Sequence, residues 1–138
     1  MPTIATGFAM ALTFLGGPSE VTVQPFMAAQ TVEEYVHEYF ADIPVMIAIA
    51  ECESQFRQFD KDGKILKNPT STAIGIFQIM ASIHQEHADT DLNMDITNIQ
   101  GNAAYARHLY EKQGTTPWNA SKACWGKTES GKAHLAKK

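Results

Sequence analysis

Glu53 is the side chain whose type and position best suit chemistry. It lies near the end of the run Pro44-Val45-Met46-Ile47-Ala48-Ile49-Ala50-Glu51-Cys52-Glu53-Ser54. At about 100° per residue in a helix, Met46, Ile49, Glu53 and Phe56 share one apolar stripe, while Glu51 lies nearly opposite. A carboxyl on the buried stripe is costly to ionise, so its pKa should rise. A carboxylic acid that keeps its proton near neutral pH can protonate the leaving oxygen of a glycosidic bond. The competing reading is a buried Glu held by a structural hydrogen bond or ion pair.

The elements that must position Glu53 are mostly helical. Thr31-Val32-Glu33-Glu34 is a capping box that opens a helix through about Phe40. Asp42 is expected to cap a second helix, with Pro44 in its first turn, running to about Phe56. Phe59 to Leu66 carries an Asp62-Gly63 turn between short apolar flanks, which predicts a small β-hairpin. Asn68 to Thr72 reads as loop. Gly75 to about Ala88 has a helical pattern. Asp95 is expected to cap a long helix through Gln113, with Gly114 past its end. Thr116-Pro117 opens a last helix closed by Gly126. The predicted fold class is mainly α (α+β), a helical domain with a small β-hairpin.

Other reactive residue types have plainer readings. Asp60 and Asp62 hint at a calcium loop, but Gln58 and Pro69 stand where its first Asp and closing Glu belong, so a turn is expected instead. His84 and His87 are one helical turn apart with no further metal ligand evident, and no metal or cofactor is expected. Trp118, Trp125 and Tyr110 could stack on sugar rings, although core packing is the safer reading for at least one Trp. Cys52 and Cys124 are too far apart for a CxxC site. Export would favour a disulfide between them, tying the helix of Glu53 to the C-terminal helix; two buried free thiols are the other reading.

Composition bounds the function. The chain has 138 residues, 44% hydrophobic and 19% charged, which fits one globular domain. A net charge of −4 argues against a nucleic-acid partner. No Lys or Arg precedes Arg57, and Lys127 to Lys138 is basic without apolar periodicity. The chain is therefore divided into residues 1–30, a signal segment or disordered arm; residues 31–126, the domain; and residues 127–138, a solvated basic tail. The apolar run Ile4 to Leu15 is shorter than the ~20 residues a membrane-spanning helix needs, so no stable span is expected.

Three fragments together resemble the lytic transglycosylase family of lysozyme-like enzymes: Glu53-Ser54-Gln55-Phe56, Ala73-Ile74-Gly75-Ile76-Phe77-Gln78-Ile79-Met80, and Asn98-Ile99 followed by Tyr105. The resemblance covers about residues 43–125. It implies a lysozyme-like fold and cleavage of the MurNAc–GlcNAc β-1,4 bond of peptidoglycan. Glu53 matches the catalytic acid/base, and Ser54 a structural Ser beside it. Gln78 and Met80 match positions lining the saccharide groove. Tyr105 matches a Tyr close to the acid, and Ser71 is assigned to the loop Ser that some members use. Asn102 departs from the pattern, standing where the third fragment has Gly, with Gly101 one position early.

Such enzymes are understood to use one carboxyl. It protonates the leaving oxygen and then deprotonates the sugar's own C6 hydroxyl, which closes a 1,6-anhydro ring. Hydrolysis, as in a muramidase, and a non-catalytic peptidoglycan-binding module remain alternatives. The implied partner is a peptidoglycan glycan strand, met by a monomer in a secreted, periplasmic or wall-associated setting.

Overall fold

The computed structural model describes residues 29–137. The signal segment or arm expected over residues 1–30 thus lies, except for its last two positions, outside the described residues. The elements in order are α1 (Val32–Tyr39), α2 (Pro44–Ser54), β1 (Ala73–Ile74), β2 (Ile79–Met80), α3 (Ala81–Asp91), α4 (Ile99–Gln113), a 3₁₀ segment (Thr116–Ser121), α5 (Lys122–Trp125) and α6 (Glu129–Leu135). The fold is mainly helical with one short antiparallel pair, as the sequence predicts.

Helix α1 begins with the expected capping box. Glu34 N donates to Thr31 Oγ1 at 3.1 Å, and Thr31 N donates to Glu34 Oε2 at 2.8 Å. Helix α2 is the central element. Its Met46, Ile49 and Ala50 are fully buried and join Val36, Phe40, Ile76, Phe77, Ala106, Trp118 and Trp125 in one core. Asp42 does not cap α2, whose N-cap is Ile43 with no side-chain bond. Instead Asp42 receives both guanidinium nitrogens of Arg107, at 2.9 and 2.8 Å. A long-range bidentate partner displaces the local capping role.

Three expectations for the middle of the chain are corrected. The hairpin over Phe59 to Leu66 is reduced to a single antiparallel bridge, Phe59 with Ile65. The paired strands are β1 and β2, with Ala73 opposite Met80 and Ile74 opposite Ile79. The helix expected from Gly75 begins only at Ala81. Gly75 (φ 73°) and Gln78 (φ 48°) both adopt left-handed backbone, which turns the chain between the strands and interrupts any helix. Short apolar runs such as Ile76-Phe77-Gln78-Ile79 fit strand and helix equally, so periodicity alone misses this.

Helix α4 is capped by Asn98 rather than Asp95: Gly101 N donates to Asn98 Oδ1 at 2.7 Å. The Asp95 carboxylate closes a turn of its own, accepting Thr97 N at 2.9 Å. Gly101 is required here, because a Cβ would fall 1.8 Å from the Asp95 carbonyl oxygen. The expected solvated tail is also corrected. Thr128 Oγ1 accepts Gly131 N at 3.0 Å and caps α6, which packs against α2, and Leu135 lies against the core. In this seven-residue helix Leu135 is the side chain packed against the core, too little to show as apolar periodicity. Among the described residues no helix is long and apolar enough to cross a membrane.

Candidate active site

Glu53 is the penultimate residue of α2. The helix ends at Ser54 because Gln55 (φ 55°) and Phe56 (φ 58°) are both left-handed. Two successive non-glycine residues in this region store backbone strain. Ser54 secures the ending: its Oγ donates to Ala50 O at 3.2 Å and accepts Arg57 N at 3.1 Å. Ser54 is therefore structural. Phe56, still expected to be helical, is the first residue beyond the helix-capping Gln55.

The Glu53 side chain is half-buried, while Glu51 is exposed. Burial pushes the Glu53 carboxyl above the ordinary glutamate range, and a hydrogen bond from Ser121 pulls partly against it. Ser121 Oγ lies 2.5 Å from Glu53 Oε1. Ser121 carries no local sequence signature. Its signal is indirect: Ser121 is one helical turn before Cys124, and Cys124 is bridged to Cys52, the neighbour of Glu53. The disulfide is present, with an S–S distance of 2.01 Å and a Cα–Cα distance of 6.0 Å.

A chain of hydrogen bonds joins Glu53 to the β1–β2 turn. Ser121 Oγ also reaches Trp118 O at 3.2 Å, and the Trp118 indole donates to Phe77 O at 2.9 Å. The Trp125 indole donates to the same Trp118 carbonyl at 2.9 Å. Both Trp side chains are buried, so they support the site from behind rather than offer faces to a sugar.

The turn from Gly75 to Gln78 is held by two buried amides. Gln58 Oε1 accepts Ile76 N at 2.9 Å, and Asn102 Oδ1 accepts Phe77 N at 3.0 Å. Asn102 Nδ2 donates to Ile74 O at 3.2 Å and Ile96 O at 2.9 Å. Gln58 Nε2 donates to Ile96 O at 3.2 Å and Thr97 O at 3.0 Å. Buried backbone in an irregular turn needs such partners. Asn102, a departure from the family pattern, thus has a structural task that a glycine cannot perform.

The remaining candidates separate. Gln78 follows Phe77 in this turn, is half-buried, and donates from Nε2 to Gly75 O at 2.9 Å. Met80, also half-buried, ends β2 and is the N-cap residue of α3. Ser71 accepts Ala73 N at 3.2 Å and lines a separate cleft of about 490 Å³ with Lys67, Thr72, Ile74 and Ser82. Tyr105 is corrected: it is 1% exposed, its hydroxyl is 3.0 Å from His84 Nδ1, and its ring packs against His87 and His108. An α4 side chain enclosed this way has no face left for substrate. Asp60 is occupied in its own loop, where Oδ1 accepts Asp62 N at 2.8 Å and Lys64 N at 3.0 Å. Among the described residues no group of three or more His, Cys, Asp or Glu is placed to hold a metal.

Compared with protein-family models, with curated proteins and with solved structures, the chain matches none.

Proposed function

We propose that the chain is a peptidoglycan lytic transglycosylase that uses Glu53 as its single acid/base. The observation that carries this reading is the state of Glu53. It is half-buried at a helix end, raised in pKa by burial, and in contact with a hydroxyl rather than a cation. A cation at that distance would hold the carboxyl ionised. The resemblance of Glu53-Ser54, Gly75-x-x-Gln78 and Asn98-Ile99 to the family agrees with it, as does the hydrogen-bonded link between Glu53 and the Gly75–Gln78 turn.

In the proposed reaction Glu53 gives its proton to the glycosidic oxygen as the C1–O bond breaks. The ionised carboxylate then accepts the proton of the C6 hydroxyl, whose oxygen bonds to C1. Glu53 ends protonated, as it began, and the product carries a 1,6-anhydro ring. Intramolecular attack needs no positioned water and no second carboxylate. Gln78 and Met80, beside the supported turn, are proposed to meet the glycan. The disulfide suits an exported protein working at the wall.

Digestion of purified peptidoglycan followed by mass spectrometry tests the reading, with Glu53→Gln as control. Anhydro ends, one water lighter than hydrolysed ends, are expected from the wild type alone. Reducing ends would assign hydrolysis instead, and intact strands with retained binding would assign a binding module.

A further inference from the structure

Ser121 Oγ faces two oxygens, Glu53 Oε1 at 2.5 Å and Trp118 O at 3.2 Å. A serine hydroxyl has one proton and two lone pairs, so it cannot donate to both at once. The conflict disappears when the protonation state of Glu53 is taken into account. We propose that Ser121 is a positioning residue whose hydroxyl serves Glu53 in both states, donating to the ionised carboxylate, and accepting from the protonated carboxyl while its own proton turns to Trp118 O.

The surroundings fit this task. A backbone N–H beside Glu53 would favour only the ionised form, and a carbonyl only the protonated form. A hydroxyl is the neutral group that can do both. A separation of 2.5 Å lies at the short end for a hydroxyl donating to a carboxylate. The second acceptor is fixed in place: the Trp118 indole is held by Phe77 O, and the Trp118 carbonyl also accepts the Trp125 indole. Rotation about the Ser121 C–O bond is all the exchange needs, and no proton leaves Ser121. The catalytic value of this device rests on the reading of Glu53 as acid and then base; the exchange itself does not.

The test is a carbon-13 NMR titration of the Glu53 side-chain carboxyl in the intact chain. In Ser121→Ala both states lose their partner; the bond to the ionised carboxylate is charge-assisted and the stronger of the two, so the midpoint should rise by about one pH unit. Ser121→Thr, which keeps the hydroxyl, should titrate like the wild type. Ser121→Val matches threonine in shape and should follow alanine, which decides the matter even if the alanine variant does not fold. An unchanged midpoint in Ser121→Val, or equal midpoints for the threonine and valine variants, would overturn the proposal. Peptidoglycan digestion by the wild type is a separate readout: its absence would remove the proposed reaction, while the titration would still decide the role of Ser121.

Discussion

Cys52 and Cys124, separated by 72 residues, are bridged one position from Glu53 and three from Ser121. The covalent link therefore joins the helix that carries the acid to the segment that carries its hydrogen-bond partner. Short links on both sides limit how far Glu53 and Ser121 can drift apart.

Removing the bridge should cost both stability and alignment. On the chain-entropy account, a loop of this length contributes about 4 kcal/mol. Cys52→Ala with Cys124→Ala should lower the denaturant midpoint accordingly. The proposed cleavage, measured per folded molecule, should also fall, because Glu53 and Ser121 are no longer held together. A double variant with wild-type stability would refute the first expectation, and one with full activity per folded molecule the second.

Gly75 should be the least replaceable residue of the β1–β2 turn. Its φ of 73° is left-handed, and a Cβ would lie 2.5 Å from both Asn102 Nδ2 and Gln58 Oε1. Gly75→Ala combines backbone strain with a clash against the two buried amides, a loss of roughly 2–4 kcal/mol. Asn102→Asp should also destabilise, because a carboxylate cannot donate to Ile74 O and Ile96 O. Its deficit should grow as pH rises and the new buried carboxyl is driven to ionise. Chemical denaturation at two pH values measures both; a pH-independent deficit for Asn102→Asp would contradict the argument.

Tyr105→Phe should leave the proposed peptidoglycan cleavage intact. The change removes only the hydroxyl bonded to His84, at a net loss of about 1 kcal/mol. A collapse of cleavage without unfolding would restore Tyr105 to the site and overturn its placement in the core.

The legible and illegible parts of this molecule divide along physical lines. Glu53 could be found because Met46 and Ile49, both buried, precede it on one helix face and because the Glu53-Ser54 pair resembles a family motif; Phe56, the last member of the expected stripe, lies beyond the helix. The Thr31 capping box is equally local. The β1–β2 pair was not legible, because Gln78 is left-handed without being glycine and its turn is held by Gln58 and Asn102 from distant segments. Ser121 was hidden for the same reason: its partner is 68 residues away. Asp42 and Asp95 each offered a good local cap, and in both cases another contact took the carboxylate. Long-range polar contacts escape a pattern reading, and here they build most of the candidate site.

The raised pKa of Glu53 carries a consequence for folding that needs no substrate. Burial places the folded-state value above the unfolded one. The folded chain then binds this proton more tightly than the unfolded chain does. Its contribution is fully present below the unfolded glutamate pKa and is lost as pH rises through the folded value. Glutamine cannot ionise and can still bond to Ser121. Glu53→Gln should therefore match the wild type in melting temperature near about pH 4 and exceed it near about pH 7, while losing some 10²-fold or more of any cleavage. This is the stability–function opposition expected where an acid is kept in unfavourable surroundings for its chemistry. Calorimetry across that range checks it. A gap between the two proteins that stays constant with pH would mean that Glu53 titrates alike in the folded and unfolded chain, and the acid/base role would lose its physical basis.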